Sequence, residues 1–245
     1  MNKSWIGDRF HNLSLAFPDG TWWAVDDKIC EKTFLDEEGH ERKDGITVME
    51  AQATYHCHQA EGPEKGLEGI MKIKMQIPPG YALDLSYEER CSMALQGFSK
   101  ISMMELSSLQ WLSDQGCSSS PKLLAYFQVA QPSDMVIPGG YITILVMEKL
   151  PGSTLDDFWE CPFEQREKIR AAFKRALIEV YGHGVVHCDR RLPNIQYDEK
   201  NDKCYILDYE QSRIHESKEN FPRWRDWEWA TWGLTKDGFE GQEIY

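Results

Sequence analysis

The segment 185–210 carries the residue types that chemistry at a metal cation requires. It contains His187 and Asp189, then Asn194 five residues after that aspartate, and Asp208 fourteen residues after the asparagine. Carboxylate and amide oxygens suit a hard cation such as Mg²⁺, whose coordination shell substrate phosphates can complete. A carboxylate beside such a cation can also accept the proton of an attacking hydroxyl.

A short hairpin is predicted between Asn194 and Asp208. Residues 195–197 and 204–207 are mostly apolar and flank a polar turn, which is typical of two paired strands. Because a hairpin returns the chain to its starting point, we expect Asp208 to lie beside the loop that precedes the first strand. Asp189, Asn194 and Asp208 would then face one point.

The elements around this segment predict an α+β protein. Predicted strands are residues 46–59, 69–77, 122–129 and 142–147. A capping box of Ser86 and Glu89 begins a helical region that reaches about residue 115, and Pro162 begins an amphipathic helix. We therefore expect two lobes with a cleft between them, a strand-rich one over residues 1–148 and a helical one over residues 149–245.

The composition excludes several classes of partner. The 27 basic and 40 acidic residues give a net charge of −13, which argues against nucleic acid and anionic membranes. The longest apolar run is about seven residues, far below the ~20 that span a bilayer, and no secretory signal is visible at the start. Seven scattered cysteines fit free thiols in a reducing compartment. We therefore expect a cytoplasmic protein.

The segment 185–210 resembles the protein-kinase-like superfamily. Its HCDRRLPN (187–194) stands where that superfamily has the His-Arg-Asp-x-x-x-x-Asn catalytic loop, and its DYE (208–210) stands where it has Asp-Phe-Gly. The second motif is closer to the Asp-Phe-Asp/Glu ending of small-molecule kinases, which include the aminoglycoside and choline phosphotransferases, and of kinase-like proteins from filamentous fungi. The resemblance implies a two-lobed kinase-like fold that binds ATP and Mg²⁺.

The resemblance also implies a role for each matched residue. Asp189 would be the catalytic base, and His187 would brace the loop from behind. Asn194 and Asp208 would hold Mg²⁺. Glu210 is a secondary candidate for binding the metal or bracing the loop.

Two residues of the first half match the superfamily's phosphate-binding pair. The stretch EGIMKI (68–73) looks like the strand that ends Val-Ala-Ile-Lys in kinases, which nominates Lys72 for the nucleotide phosphates. Lys74 has the same parity and therefore lies on the same face of the strand, so it is the alternative. A lysine that merely reaches solvent from a strand edge is the other interpretation. Glu105, in the apolar stripe of the next helix, would orient Lys72.

The stretch YITILVMEKLP (141–151) resembles the last strand of a kinase first lobe and the hinge after it. By that match Met147 would be the gatekeeper, and backbone groups of Glu148 and Leu150 would bind adenine. A buried strand followed by a turn fits the same residues equally well.

Three departures from the kinase pattern limit the expected activity. No Gly-x-Gly-x-x-Gly loop precedes Lys72, and the nearest candidates are residues 36–45 and 61–66. Cys188 replaces the arginine of the catalytic loop. Only 37 residues follow Asp208, with no Ala-Pro-Glu segment, which indicates a shortened helical lobe. Regulated phosphorylation of proteins is therefore not expected.

The sequence thus predicts a kinase-like protein that transfers the γ-phosphoryl group of ATP to a hydroxyl of a small-molecule acceptor. The alternatives are a pseudokinase that serves as a binding or scaffold module and a kinase fold with non-phosphoryl chemistry. Four tryptophans in the tail, Trp224, Trp227, Trp229 and Trp232, are interpreted as a seal on the core of the short lobe. The other interpretation is an aromatic surface for a protein partner or for self-association.

Overall fold

The structure is a computed structural model that describes residues 4–35, 49–79 and 84–235. The chain divides into two compact units, and each is described by itself. The first consists of Met1–Met103 and Leu123–Lys149, and the second of Met104–Lys122 and Leu150–Tyr245. The lobe boundary between residues 148 and 149 stays a prediction.

The first unit is built on an antiparallel sheet of six strands in the order β1-β2-β3-β4-β6-β5. The strands are β1 (Ser14–Ala16), β2 (Trp22–Leu35), β3 (Met49–Glu61), β4 (Glu68–Ile77), β5 (Leu123–Ala130) and β6 (Tyr141–Glu148). The last four are the strands that the sequence predicts, with bounds that differ by up to three residues. Antiparallel pairing needs only short connections, so β3, β4 and their turn form one continuous hairpin.

Strand alternation gives this sheet two different faces. The apolar face includes the buried Ala51, Ala53, Tyr55, Met71, Ile73, Met75, Ile142, Ile144 and Val146. Burial of each isoleucine, methionine or valine on this face contributes about 1.5–3 kcal/mol. The opposite face is polar, because Lys74 pairs with Gln52 on one side and with Thr143 on the other. All three side chains are buried, and Lys72 shares their face.

Two helices lie between residues 84 and 115, where the sequence predicts a helical region. Helix α1 (Tyr87–Ser92) begins with the predicted capping box, in which Ser86 and Glu89 bond reciprocally through side chain and backbone N–H. Helix α2 (Lys100–Asp114) follows after a break. Gly97, within the break between the two helices, adopts a φ of +87°, a left-handed conformation that a regular helix does not accommodate.

The second unit combines helices with two small sheets. Its elements after β6 are β7 (Ser153–Thr154), α3 (Phe163–Gly182), β8 (Val185–His187), β9 (Ile195–Asp198), β10 (Lys203–Ile206), β11 (Ser212–Ile214) and α4 (Glu228–Thr231). The sheets have the orders β10-β9-β7 and β11-β8. Helix α3 follows Pro162 and buries the predicted apolar stripe, which includes Ile169, Phe173 and Leu177. Together the two units confirm the α+β class.

The tryptophan-rich tail packs on α3. The Trp232 side chain is fully buried, and its ring lies 5.2 Å from that of Phe173. Trp224 and Trp229 also approach Phe173, at 6.2 and 6.0 Å between ring centroids. These contacts support the interpretation of this tail as a seal on the core. A partner surface on the short lobe stays a prediction.

The structure was also searched for segments that could cross a bilayer. Among residues 4–35, 49–79 and 84–235, no helix combines the length and the apolar character that a membrane span needs.

A carboxylate fastens the segment before β1 to the sheet. Glu31 accepts hydrogen bonds from the backbone N–H groups of Ile6 and Gly7, at 2.9 and 3.2 Å, and from the Ser4 hydroxyl. Lys28 forms an ion pair with it at 2.9 Å. Burial alone would raise the pKa of Glu31, but the bonds from Ile6, Lys28 and Ser4 lower it below its ordinary value.

We predict that Glu31→Gln lowers the free energy of unfolding by about 1–3 kcal/mol at pH 7, because charge-assisted bonds are lost. Since the pKa of Glu31 is lower in the folded state, its contribution is present above the unfolded pKa of about 4.5 and disappears as the pH falls. Urea unfolding at pH 7 and pH 3 should therefore show a difference between wild type and variant that shrinks in acid. Glu61→Gln, on an exposed residue of β3, is the control. A difference that is equal at both pH values would contradict this role.

Candidate active site

The predicted hairpin brings the chain back to its starting point. Strands β9 and β10 pair antiparallel, with Ile206 opposite Ile195. The N–H of Leu207 then donates to the carbonyl of Asn194 at 2.9 Å. Asp208, the next residue, therefore lies beside the loop that precedes β9, as the sequence predicts.

His187 holds the backbone at this point. Its side chain is fully buried, and its Nε2 lies 2.8 Å from the carbonyl oxygens of both Leu207 and Asp208. The ring N–H is thus shared between two acceptors. Burial lowers the pKa of His187, and the bonds to the two carbonyls offset this only in part, so the imidazole is neutral at physiological pH. This is the bracing contact that the resemblance implies.

Asp208 has a backbone conformation that few residues other than glycine adopt. Its φ is +63°, in the left-handed region, where aspartate and asparagine are tolerated better than other side chains. Such a conformation costs about 1–3 kcal/mol and persists only where the surroundings impose it. Here the hydrogen bonds at Leu207 and at the Asp208 carbonyl impose it.

Three carboxylates converge around Asp208. One carboxylate oxygen from each of Glu105, Asp208 and Glu210 lies within 4.8 Å of the other two. Glu105 and Glu210 are buried, at 1% and 6% exposure. We call these three side chains the acid group. Carboxylates this close and this buried favour a cation among them, and oxygen donors suit Mg²⁺.

Glu105 lies in the second unit, with Asp208 and Glu210. The sequence predicts that Glu105 orients Lys72, which belongs to the first unit. The pairing of Lys72 with Glu105 stays a prediction. The structure shows that Glu105 is a member of the acid group. No local pattern in the sequence predicts that it lies close to Asp208 and Glu210.

The loop before β9 positions the predicted catalytic base. Asn194 Nδ2 donates to the Asp189 carbonyl at 2.8 Å and to its Oδ2 at 3.0 Å. With Nδ2 directed at Asp189, the Oδ1 of Asn194 is the side-chain atom that could coordinate a cation. Arg191 forms an ion pair with Asp189 Oδ2 at 2.9 Å and is about half exposed. The sequence prediction missed Arg191, although a cation two residues after the aspartate was the available signal.

A second arginine ties this loop to the tail. Arg190 Nε donates to the His187 carbonyl at 3.0 Å, and its guanidinium lies over the Trp227 ring. The guanidinium also lies 3.8 Å from Glu228, which is buried and accepts a 2.7 Å bond from the Tyr181 hydroxyl. Burial raises the pKa of Glu228, although the bonds from Tyr181 and the charge of Arg190 oppose that shift. The sequence prediction also missed this contact.

The residues nominated for adenine lie on both sides of the division between the units. Met147 and Glu148 belong to the first unit, where Glu148 pairs with Gly69, and Leu150 belongs to the second. The Leu150 carbonyl accepts a 2.8 Å bond from the Gln196 side chain. Adenine binding by these residues stays a prediction.

Of the two candidate glycine loops, residues 36–45 lie outside the described residues. Residues 61–66 comprise the last residue of β3 and most of the turn that leads to β4. This turn is closed by its own bonds, because Gly66 N–H donates to the Gln59 carbonyl at 2.8 Å and Glu64 N–H donates to the Gln59 side chain at 2.7 Å.

The elements follow one another as the kinase resemblance requires. A strand with Lys72 precedes a helix with the buried Glu105, and the apolar strand β6 precedes the loop of Asp189. The hairpin and Asp208 then follow, with His187 bonded behind them. The fold is protein-kinase-like. This confirms the fold class that the sequence predicts, while the role of each nominated residue stays a prediction.

Comparisons with known proteins give structural similarity only. No protein-family model and no curated protein matches the sequence. The Cydia pomonella granulovirus kinase PK-1 is 17% identical with a TM-score of 0.45, and the match covers 80% of this chain and 53% of that one. WbdD bound to the kinase inhibitor LY294002 is 22% identical with a TM-score of 0.42, covering 69% and 32% of the two chains. Another WbdD crystal structure is 20% identical with a TM-score of 0.44, covering 78% and 34%.

The chain spans about a third to a half of the length of these solved chains. The kinase-like assignment rests on the order of its own elements and on the geometry around His187 and Asp208.

We predict that Glu228→Gln changes how stability depends on pH. Because burial raises the pKa of Glu228 in the folded state, wild type loses stability as the pH rises from the unfolded pKa of about 4.5 through the folded pKa. The variant has no such proton to lose. Urea unfolding at pH 5 and pH 8 should show a relative gain for the variant at pH 8 of about 1.4 kcal/mol per unit of pKa difference.

The control for this prediction is Glu216→Gln, on an exposed residue of the same unit. It should track wild type at both pH values. A Glu228→Gln variant whose stability relative to wild type does not change with pH would show that the carboxyl is not destabilised by burial.

Proposed function

We propose that this protein binds ATP with Mg²⁺ and transfers the γ-phosphoryl group to a hydroxyl of a small molecule. One observation carries the proposal: the acid group of Glu105, Asp208 and Glu210 converges within 4.8 Å. This group is one hydrogen bond away from the loop of Asp189, through the bond between Leu207 and Asn194. Metal binding and proton acceptance are therefore available at adjacent points of one unit.

The donor set fits Mg²⁺, which prefers carboxylate oxygens and uses few protein ligands beside substrate phosphates. Asp208, Glu210 and the Oδ1 of Asn194 would hold the ion, and Glu105 would add a third carboxylate. Bound Mg²⁺ supplies charge neutralisation to the phosphates. The fixed backbone at Asp208 means that its carboxylate needs little rearrangement when the ion arrives.

Asp189 would accept the proton of the acceptor. In the transfer the hydroxyl oxygen forms a bond to the γ-phosphorus, the bond to the β-phosphate oxygen breaks, and ADP leaves. The hydroxyl proton passes to a carboxylate oxygen of Asp189. Asn194 fixes that carboxylate at 3.0 Å, and Arg191 is exposed enough to neutralise charge on the phosphoryl group.

Lys72 is the proposed phosphate lysine of the first unit, with Lys74 as the alternative. Both side chains are buried, and Lys72, at 8% exposure, is less buried than Lys74. Met147, Glu148 and Leu150 are the proposed adenine contacts. A cytoplasmic location is part of the proposal, and it fits the seven free cysteines.

A second candidate function is a pseudokinase that binds nucleotide and serves as a scaffold. The ion pair between Arg191 and Asp189 favours it, because Arg191 occupies the carboxylate oxygen that also receives the Asn194 bond. An acceptor hydroxyl must compete with this pair or use the other oxygen. The two candidates share nucleotide binding and differ in transfer.

We predict that ATP stabilises wild type only when Mg²⁺ is present, and that Asp208→Asn removes the Mg²⁺-dependent part. At an ATP concentration 100 times Kd, the stabilisation should be about 2.7 kcal/mol. Calorimetry and thermal unfolding with and without Mg²⁺ measure both quantities, with Glu216→Gln as the charge-matched control. Absence of ATP binding by wild type under both conditions would contradict both candidate functions.

We predict further that Asp189→Asn leaves Mg²⁺-dependent ATP binding intact and slows transfer by at least about 100-fold. ADP formation should be measured over a panel of hydroxyl compounds that includes aminoglycosides and choline. Wild type should form ADP only with a suitable acceptor. If wild type binds ATP but forms no ADP with any acceptor, the scaffold candidate is favoured over the enzyme.

A further inference from the structure

A second group of ligating side chains lies apart from the acid group in the second unit. Cys117, in the loop after α2, and Glu179 and His183, at the end of α3, each offer one ligand atom. These three atoms lie within 4.8 Å of one another. Their chemistry differs from that of the acid group, because they offer a sulfur, a carboxylate oxygen and an imidazole nitrogen.

The local structure explains why the three side chains meet. Glu179 and His183 are four residues apart at the end of a helix, so they project from the same face. Cys117 follows Gly116, whose φ of +71° ends α2 sharply. The Cys117 N–H donates to the Leu112 carbonyl at 2.9 Å, and this bond holds the Cys117 backbone at the end of α2.

Neighbouring groups orient two of these side chains. Glu179 Oε1 accepts the Ser118 N–H at 2.7 Å, and its Oε2 accepts the hydroxyls of Ser118 and Ser119. His183 Nδ1 lies 3.4 Å from the Gln115 side-chain oxygen. Bonds of this kind orient the ligands of metal sites. A role for Glu179 in holding the serine loop would explain the three bonds to serine. It would not explain the thiol and the imidazole beside the same carboxylate.

We propose that Cys117, Glu179 and His183 bind a zinc ion, with a water molecule as the fourth ligand. Mixed sulfur, nitrogen and oxygen donors suit Zn²⁺, whereas Mg²⁺ prefers oxygen alone. When the Zn–S bond forms, the thiol proton of Cys117 is released to solvent. After three hydrogen bonds, Glu179 Oε1 still has a lone pair for the ion.

The ion would fasten the loop 116–120 to the end of α3. The Ser119 carbonyl in that loop accepts the Ile206 N–H at 2.8 Å, at the end of β10. Leu207 and Asp208 follow directly. Zinc would therefore stabilise the loop on which the last strand before Asp208 rests, and this proposal does not depend on the kinase activity.

The test uses the full chain, stripped of metal by a chelator, reduced, and held in excess Mg²⁺ to occupy the acid group. Calorimetry with Zn²⁺ gives the stoichiometry and affinity, and absorption with Co²⁺ reports a thiolate ligand through its charge-transfer band. Wild type should bind one Zn²⁺ per chain and show this band. Cys117→Ser should lose the band and weaken zinc binding by at least about 100-fold, since it removes a direct ligand. Cys161→Ser, which keeps all three ligands, should behave as wild type.

His183→Gln provides a second variant, because His183 is partly exposed and its backbone contacts do not need the imidazole. It should keep the fold and lose tight zinc binding. Zinc should also raise the thermal unfolding midpoint of wild type and of Cys161→Ser. It should not raise the midpoint of Cys117→Ser or His183→Gln. The proposal is overturned if wild type shows no thiolate band, or if Cys117→Ser or His183→Gln binds zinc as tightly as wild type.

Discussion

The hydrogen bonds that one imidazole makes behind Asp208 hold the candidate active site together. His187 Nε2–H is shared between the carbonyls of Leu207 and Asp208, while the Leu207 N–H closes the hairpin on Asn194. These bonds fix Asp208 at a φ of +63°. Without these hydrogen bonds nothing would offset the cost of the left-handed conformation of Asp208. The position of its carboxylate in the acid group would then not be fixed. The position of Asp208, the proposed metal ligand, is thus a consequence of a buried, neutral histidine.

Further buried polar groups support the histidine in turn. Arg190 donates to the His187 carbonyl and faces Glu228, which also holds the Tyr181 hydroxyl. A buried carboxylate is costly unless partners surround it, and the raised pKa of Glu228 shows that its partners compensate only in part. The tail therefore does more than cover apolar surface, because it brings the Glu228 carboxyl group to Arg190 in the loop of Asp189.

Local patterns in the sequence predict the hairpin, the capping box of Ser86 and Glu89 and the alternating strands, because each depends on residues close together in the chain. Gly97 is a local signal for the break before α2, and the sequence prediction did not use it. The meeting of Glu105 with Asp208 and the contact of Arg190 with Glu228 depend on tertiary packing across long sequence separations. No periodicity encodes them, so they appear only in the structure.

We propose above that the acid group binds a divalent cation together with a nucleotide. Crystals grown with Mn²⁺ and a non-hydrolysable ATP analogue test it directly through anomalous scattering from the metal. We expect a manganese peak within coordination distance of the Asp208 carboxylate and of the analogue's phosphates. Bound analogue with no metal at Asp208, or metal bound only elsewhere, would contradict it.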